Sequence, residues 1–208
     1  MGAVRGTRER LSGEERRSQI IDAALKLFAE KGFSGTKTRE IAERAGISQT
    51  LIFQHFKTKG DLYRAALSEL FAHHPVIPEI EENVEKKDDR GVFTSLALHM
   101  ITHSRQDPRI IRLSAFAALE GSDFADILHS GEDSPMRISE LLATYIEQRI
   151  KDGVFKNVNA HIVARLFIET VFMHIVDQEV ALTSPPLSFP LEETVEQLVN
   201  VFLDGIKA

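Results

Sequence analysis

Two places in this 208-residue sequence hold side chains whose types and spacing suit chemistry. The first is Thr38-Arg39-Glu40-Ile41-Ala42-Glu43-Arg44-Ala45-Gly46-Ile47-Ser48-Gln49-Thr50-Leu51-Ile52-Phe53-Gln54-His55-Phe56. Arg and Gln are the types that pair bidentately with guanine and adenine, and apolar groups pack on the thymine methyl. The second is His99 with His103, whose i, i+4 spacing puts both rings on one helix face, where they could share a metal. Two histidines without an acidic partner nearby in sequence are an incomplete site, so no metal is expected there. No Gly-rich phosphate loop, His-Glu-x-x-His or Gly-x-Ser-x-Gly occurs. The absence of cysteine removes disulfides, thiolate zinc sites and Cys nucleophiles. No cofactor is expected, and the chain reads as a non-enzyme.

The first stretch folds on paper as two short helices about a tight turn. Ile41, Ala42 and Ala45 give the first helix one apolar face, and the small Ala42 lets two helices cross closely. Gly46 supplies the left-handed conformation a tight turn needs. Ile47 plugs the angle, Ser48 caps the second helix, and Ile52 with Phe53 or Phe56 anchors it. This is helix-turn-helix geometry, in which the second helix enters a major groove.

The flanking sequence is helical as well. Ser12 and Glu15 form a capping box, and Ile20, Ile21, Ala24, Leu25, Leu27 and Phe28 recur at helical spacing up to a stop at Gly32. Thr58 and Asp61 open a helix carrying Leu62, Tyr63, Ala66, Leu67, Leu70 and Phe71. His73–Asp89, charged and holding Pro75 and Pro78, reads as less regular. Helices restart near Gly91, at Pro108 after Asp107, and at Pro135 after Ser134, proline being favoured at a first helical position. Gly121–Gly131 reads as irregular or a short helix. Lys151-Asp152-Gly153 is a stop. A long apolar helix is expected over Asn159–Thr183, a break at Pro185-Pro186, and a last helix from Pro190 to Ile206. No strict alternation marks a strand, so the fold class is all-α.

Charge divides the chain. Residues 1–60 hold 12 Lys and Arg against 7 Asp and Glu, whereas the remainder holds 13 against 24. A basic front and an acidic rear assign any phosphate contact to the front. No run approaches the roughly 20 apolar residues of a membrane span. The start has basic residues but no apolar stretch, so no secretory signal is read and a cytoplasmic location is expected. Three regions follow: a basic flexible arm over 1–13 with Arg5, Arg8 and Arg10, a helix-turn-helix domain over 14–72, and a larger helical domain over 73–208.

Residues 14–67 resemble the N-terminal domain of the TetR/AcrR family of repressors. The likeness rests on residues 20–33, on Thr36, on the segment quoted above, and on Phe56-Lys57-Thr58-Lys59-Gly60-Asp61-Leu62. It implies that Thr38 and Arg39 meet the backbone and a base edge, and that Gln49, Thr50 and Leu51 read bases after the capping Ser48. It also implies that Phe53 and His55 face the phosphate backbone and that Lys59 pairs with a phosphate. Two departures stand out. Many relatives carry Tyr where Phe53 stands, and Gly or Pro where Thr50 stands.

For the rear the resemblance implies a ligand-binding and dimerisation domain. The apolar helix at 159–183 and the last helix would pair with their copies through Ile162, Leu166, Val195, Leu198, Val199 and Phe202. A cavity for a small, largely apolar effector is expected among Leu96, His99, Met100, His103, Phe116, Leu119, Glu120, Phe167, Val171 and His174. Met and Phe make adaptable walls. The expected function is a ligand-released repressor that binds a palindromic double-stranded operator as a homodimer, without a membrane partner. The alternatives are a constitutive DNA-binding dimer and, less favoured, an enzyme using the rear domain.

Overall fold

A computed structural model of the chain describes residues 11–72, 77–120, 135–181 and 190–208. The arm's Arg5, Arg8 and Arg10, the segment Gly121–Gly131, Ser134, Thr183 and Pro185-Pro186 lie outside the described residues. The chain divides into two compact units, Met1–Ala66 and Leu67–Ala208.

The first unit is built from α1 (Gly13–Gly35), α2 (Thr38–Ala45), α3 (Gln49–His55) and the start of α4 (Lys59–Ala72). The Ser12–Glu15 box caps α1, with Ser12 N–H donating to Glu15 Oε2 at 2.7 Å and Glu15 N–H donating to Ser12 Oγ at 3.2 Å. Gly32 does not end α1 outright. It takes φ 72° and ψ 178°, which kinks the helix, and helical turns continue to Gly35. Ile20, Ile21, Ala24 and Phe28 of α1 are buried with Ile41, Ile52, Leu62 and Tyr63, one side chain or more from each helix. Phe28 meets Tyr63 edge-on at 4.8 Å between centroids. Burying such large side chains stabilises by about 1.5–3 kcal/mol each.

The second unit contains α5 (Ile77–Glu85), α6 (Asp89–Gln106), α7 (Arg109–Glu120), α8 (Pro135–Lys151), α9 (Ala160–Ile175) with a π-helical extension over Val176–Ala181, and α10 (Leu191–Ile206). Helix α6 packs against α5, α7, α9 and α10, while α8 packs on α9. Edge-to-face rings join three of these layers: Phe93 to Phe167 at 4.9 Å, and Phe167 to Phe202 at 5.1 Å. The only β pairing among the described residues is an isolated bridge between Phe155 and Lys207.

One expectation is corrected here. The stretch expected to be less regular, His73–Asp89, contains α5, because Pro78 falls in the first turn, where a missing N–H costs nothing. Helix α6 begins at Asp89, two residues before Gly91, because Asp88 caps it through Gly91 N–H at 2.9 Å. No helix of the described residues is long and apolar enough to cross a membrane.

Candidate nucleic-acid interface

The reading surface depends on how firmly α2 and α3 are mounted. Helix α2 ends at Gly46, whose φ of 65° and ψ of 34° let its N–H return to Glu43 O, while Ile47 N–H reaches Ala42 O at 3.0 Å. These bonds satisfy carbonyls that a helix end leaves open. Ser48 Oγ then accepts from Leu51 N–H at 3.2 Å and starts α3. Three contacts tie α2 to α1: Gln19 Nε2 to Ala45 O at 2.9 Å, Lys31 Nζ to Glu40 at 2.6 Å, and Arg44 to Glu30 at 2.8 Å. The Lys31 ammonium, with the Lys37 N–H, holds the Glu40 carboxyl below the usual carboxylate range.

On this mount Gln49 and Thr50 are exposed at the first turn of α3, Leu51 is half-buried beside them, and Ile52 is buried as the anchor. Phe53 is 45% exposed, so the ring stands out from the core. His55 closes α3 half-buried, beside the buried Phe56. On α2, Thr38 is half-buried and the Arg39 side chain is 80% exposed, with its Nε donating to Glu43 Oε1 at 2.9 Å. The i, i+4 spacing of Arg39 and Glu43 announces that pair in the sequence, although Glu43 is not among the residues the resemblance marks. Lys59 Nζ donates to the carbonyls of Phe33 at 2.9 Å and Thr36 at 3.0 Å.

In the second unit Leu96, Phe167 and Val171 are fully buried, and His99 is 5% exposed. The His103 ring lies against that of His99, tilted by 31° with centroids 4.0 Å apart. Met100, Phe116, Glu120 and His174 are half-buried, while Leu119 is 83% exposed. Among the described residues no group of three or more His, Cys, Asp or Glu is placed to hold a metal ion. A groove of about 300 Å³ where α8 meets α9, lined by Glu147, Lys151 and His161 among others, includes none of the expected cavity residues.

The six expected dimer residues separate by burial. Ile162 and Leu166 are exposed, Leu198 and Phe202 are half-buried, and Val195 and Val199 lie in the core of the chain's own second unit. Met173 on α9 and Val201 on α10, 58% and 71% exposed, were not anticipated. Ile162, Leu166 and Met173 follow i, i+4, i+11 and so share one helix face.

Residues 20–66 match the model of the tetR family of bacterial regulatory proteins. The chain is also 32% identical over 190 residues to an uncharacterised HTH-type transcriptional regulator, YvkB of Bacillus subtilis (strain 168), covering 91% of this chain and 96% of that one. The chain belongs to the TetR family. It is a DNA-binding transcriptional regulator with an all-α fold and an N-terminal helix-turn-helix, as the sequence led us to expect. A further relative is the HTH-type transcriptional regulator AcrR of Shigella flexneri, 26% identical over 92% of this chain and 89% of its own. Among solved structures, FadR of Bacillus subtilis in complex with stearoyl-CoA superposes with a TM-score of 0.69 at 18% identity, covering 91% of this chain and 98% of that one. At that identity the likeness is one of fold.

Proposed function

We propose that this TetR-family regulator is a homodimeric repressor that holds two α3 helices in successive major grooves of a palindromic operator and is released by a small, largely apolar effector. It acts in the cytoplasm, by binding and not by turnover. Arg39, Gln49, Thr50 and Leu51 read base edges, Thr38 lies at the backbone, and Phe53 and His55 line the phosphate side. Ser48 contributes by fixing the first turn of α3. The observation that carries this reading is the pairing of exposure with rigidity: Gln49 and Thr50 face solvent on a helix capped at Ser48 and anchored by Ile52. Base readout needs both, since a side chain must reach the groove from a fixed backbone.

Two-fold symmetry follows from the operator geometry, because half-sites one turn apart need two recognition helices about 34–36 Å apart. The exposed stripe of Ile162, Leu166 and Met173 supports a second copy as the partner. The effector would lie against the apolar residues around Leu96, Met100, Phe116, Phe167 and Val171, with His99, His103, His174 and Glu120 as its polar contacts. It would release DNA only if its affinity differs between the two forms of the dimer.

Selection of bound duplexes from a random library tests the reading. A recovered inverted repeat, with affinity falling steeply as salt rises through counterion release, is the expected result. Recovery of no preferred sequence, or a flat salt profile, would reject it.

A further inference from the structure

The kink at Gly32 interrupts α1 near its end, and a helix end leaves the carbonyls of its last residues without helical partners. Two of them, Gly32 O and Phe33 O, are taken up nearby. Thr36 is 1% exposed, and its hydroxyl lies 2.7 Å from Gly32 O and 3.2 Å from Leu27 O. Thr36 N–H donates to Phe33 O at 3.2 Å. The remaining acceptor sites on Phe33 O and Thr36 O receive the ammonium of Lys59, which also sits 4.0 Å from the Phe33 ring centroid. An ammonium has three donors. Two are committed here, and the aromatic face adds a cation–π attraction.

The place of this contact in the chain gives it a consequence for DNA reading. Thr36 is the residue before the N-cap of α2, and Lys59 is the first residue of α4. Helices α2 and α3 lie wholly between them. The Lys59–Thr36 bond therefore joins the entrance and the exit of the helix-turn-helix, 23 residues apart in sequence. The exit side is itself fixed, because Thr58 and Asp61 bond reciprocally, Thr58 N–H to Asp61 Oδ2 and Asp61 N–H to Thr58 Oγ1, both at 3.0 Å.

We propose that Lys59 is a positioning residue: its ammonium staples the two ends of the helix-turn-helix and so sets α2 and α3 in the free protein, and this work, in place of a phosphate contact, is what DNA binding draws from it. The proposal rests on reading residues 38–55 as the DNA-reading head. It replaces the phosphate role that the family resemblance implied for Lys59. The staple commits two of the three ammonium donors and holds the charge against the Phe33 ring, so a phosphate could reach only the third N–H unless the staple opened.

The test compares Lys59→Met with Lys57→Met, a neighbouring exposed lysine outside the staple. In the free proteins, amide hydrogen exchange over Glu40–Ala45 should quicken by about tenfold or more in Lys59→Met and stay at the parental rate in Lys57→Met. Unchanged exchange in Lys59→Met overturns the proposal. On duplexes selected by the parent protein, Lys59→Met should bind more weakly while the slope of log affinity against log salt is kept. A slope smaller by about 0.9, the signature of one lost phosphate contact, also overturns it. Should Lys59→Met fail to fold, the parent protein decides. Its Lys59 ammonium protons should exchange with water about tenfold more slowly than those of Lys57, and equal rates sink the staple. The free-protein measurements need no DNA, so they stand even if the parent selects no sequence and the DNA-reading assignment fails.

Discussion

Arg39 is held by Glu43 in the free chain, and in the role proposed for it the strength of that hold decides how cheaply its guanidinium could reach a base. The two side chains are 80% and 63% exposed, so the pair contributes only about 0.5 kcal/mol. A bidentate arginine–guanine contact discriminates by about 1–3 kcal/mol, so the base wins the competition. Arg39→Ala should therefore cost about that much at one base pair of the selected site and relax preference there, with other positions unchanged, as competition binding against single-base variants would read. Glu43→Gln frees the arginine and removes a negative charge from the face proposed to meet DNA. It should tighten binding by about twofold without altering the base preference, and looser binding would show that Glu43 orients Arg39 for its contact. Phe53 lends itself to the converse experiment. Its ring is 45% exposed, so Phe53→Tyr places a hydroxyl in solvent at no cost to the core. If the ring lies along the backbone, that hydroxyl gains a phosphate bond of about 0.5–1.5 kcal/mol, visible as tighter binding to all sites alike.

Helices were legible in proportion to how locally their ends are specified. Ser12, Ser48 and Asp107 bond to N–H groups within three residues, and each announces its helix from the sequence. Helix α5 was hidden because Pro78 reads as a breaker unless its place in the first turn is known. The π-helical turns after Ile175 carry no sequence signal that we recognise. Contacts between distant residues were hidden altogether. One is the Lys59 staple. Another joins α6 to α8, where Asp89 accepts from Tyr145 Oη at 2.7 Å and from Arg149 Nε at 2.7 Å. Arg149 and Asp89 are 11% and 12% exposed, so Arg149→Met would strand a desolvated carboxylate and should lower stability by about 2–3 kcal/mol in urea unfolding. Burial, then the bond to Asp89, pushes the Tyr145 phenol up, which keeps it a donor. Asp152 extends the cluster. Hydrogen bonds from Lys87 and then Gln148 hold its carboxyl down at about 2, against an ordinary value of 3.8. The folded value is the lower one, so the stabilisation is complete above the ordinary value and is lost as pH falls through about 2. The melting temperature of Asp152→Asn should therefore lie below the parent's by a constant margin from neutral pH to about pH 5, and that margin should shrink below about pH 4. A margin that is the same at every pH would remove the charge from the explanation.

A single copy of the chain leaves Ile162, Leu166 and Met173 in water along one face of α9, with Val201 exposed on α10. Scattered apolar residues need no explanation, but a stripe on one helix face does. Apolar spacing marks both helices in the sequence, but spacing alone does not separate inward from outward positions. Val195 and Val199 pack into the second unit's core, and Phe202 lies edge-on to Phe167, so they hold α10 in place beneath the surface that remains. A dimer formed through this face predicts a graded response. Leu166→Glu puts a charge at the middle of the stripe, where desolvating a carboxylate twice, once per copy of a two-fold interface, costs several kcal/mol. Light scattering should then report monomers at micromolar concentration where the parent is a dimer. Because Leu166 is half exposed in the single chain, the variant should keep its helical circular dichroism and its fold. Operator binding should collapse to the weak, salt-sensitive affinity of one reading head, since each monomer retains an intact α3 but has lost the partner that fixes the half-site spacing. If the variant remains a dimer and binds the operator as before, the interface lies elsewhere. Then the stripe on α9 would have to be assigned to another partner.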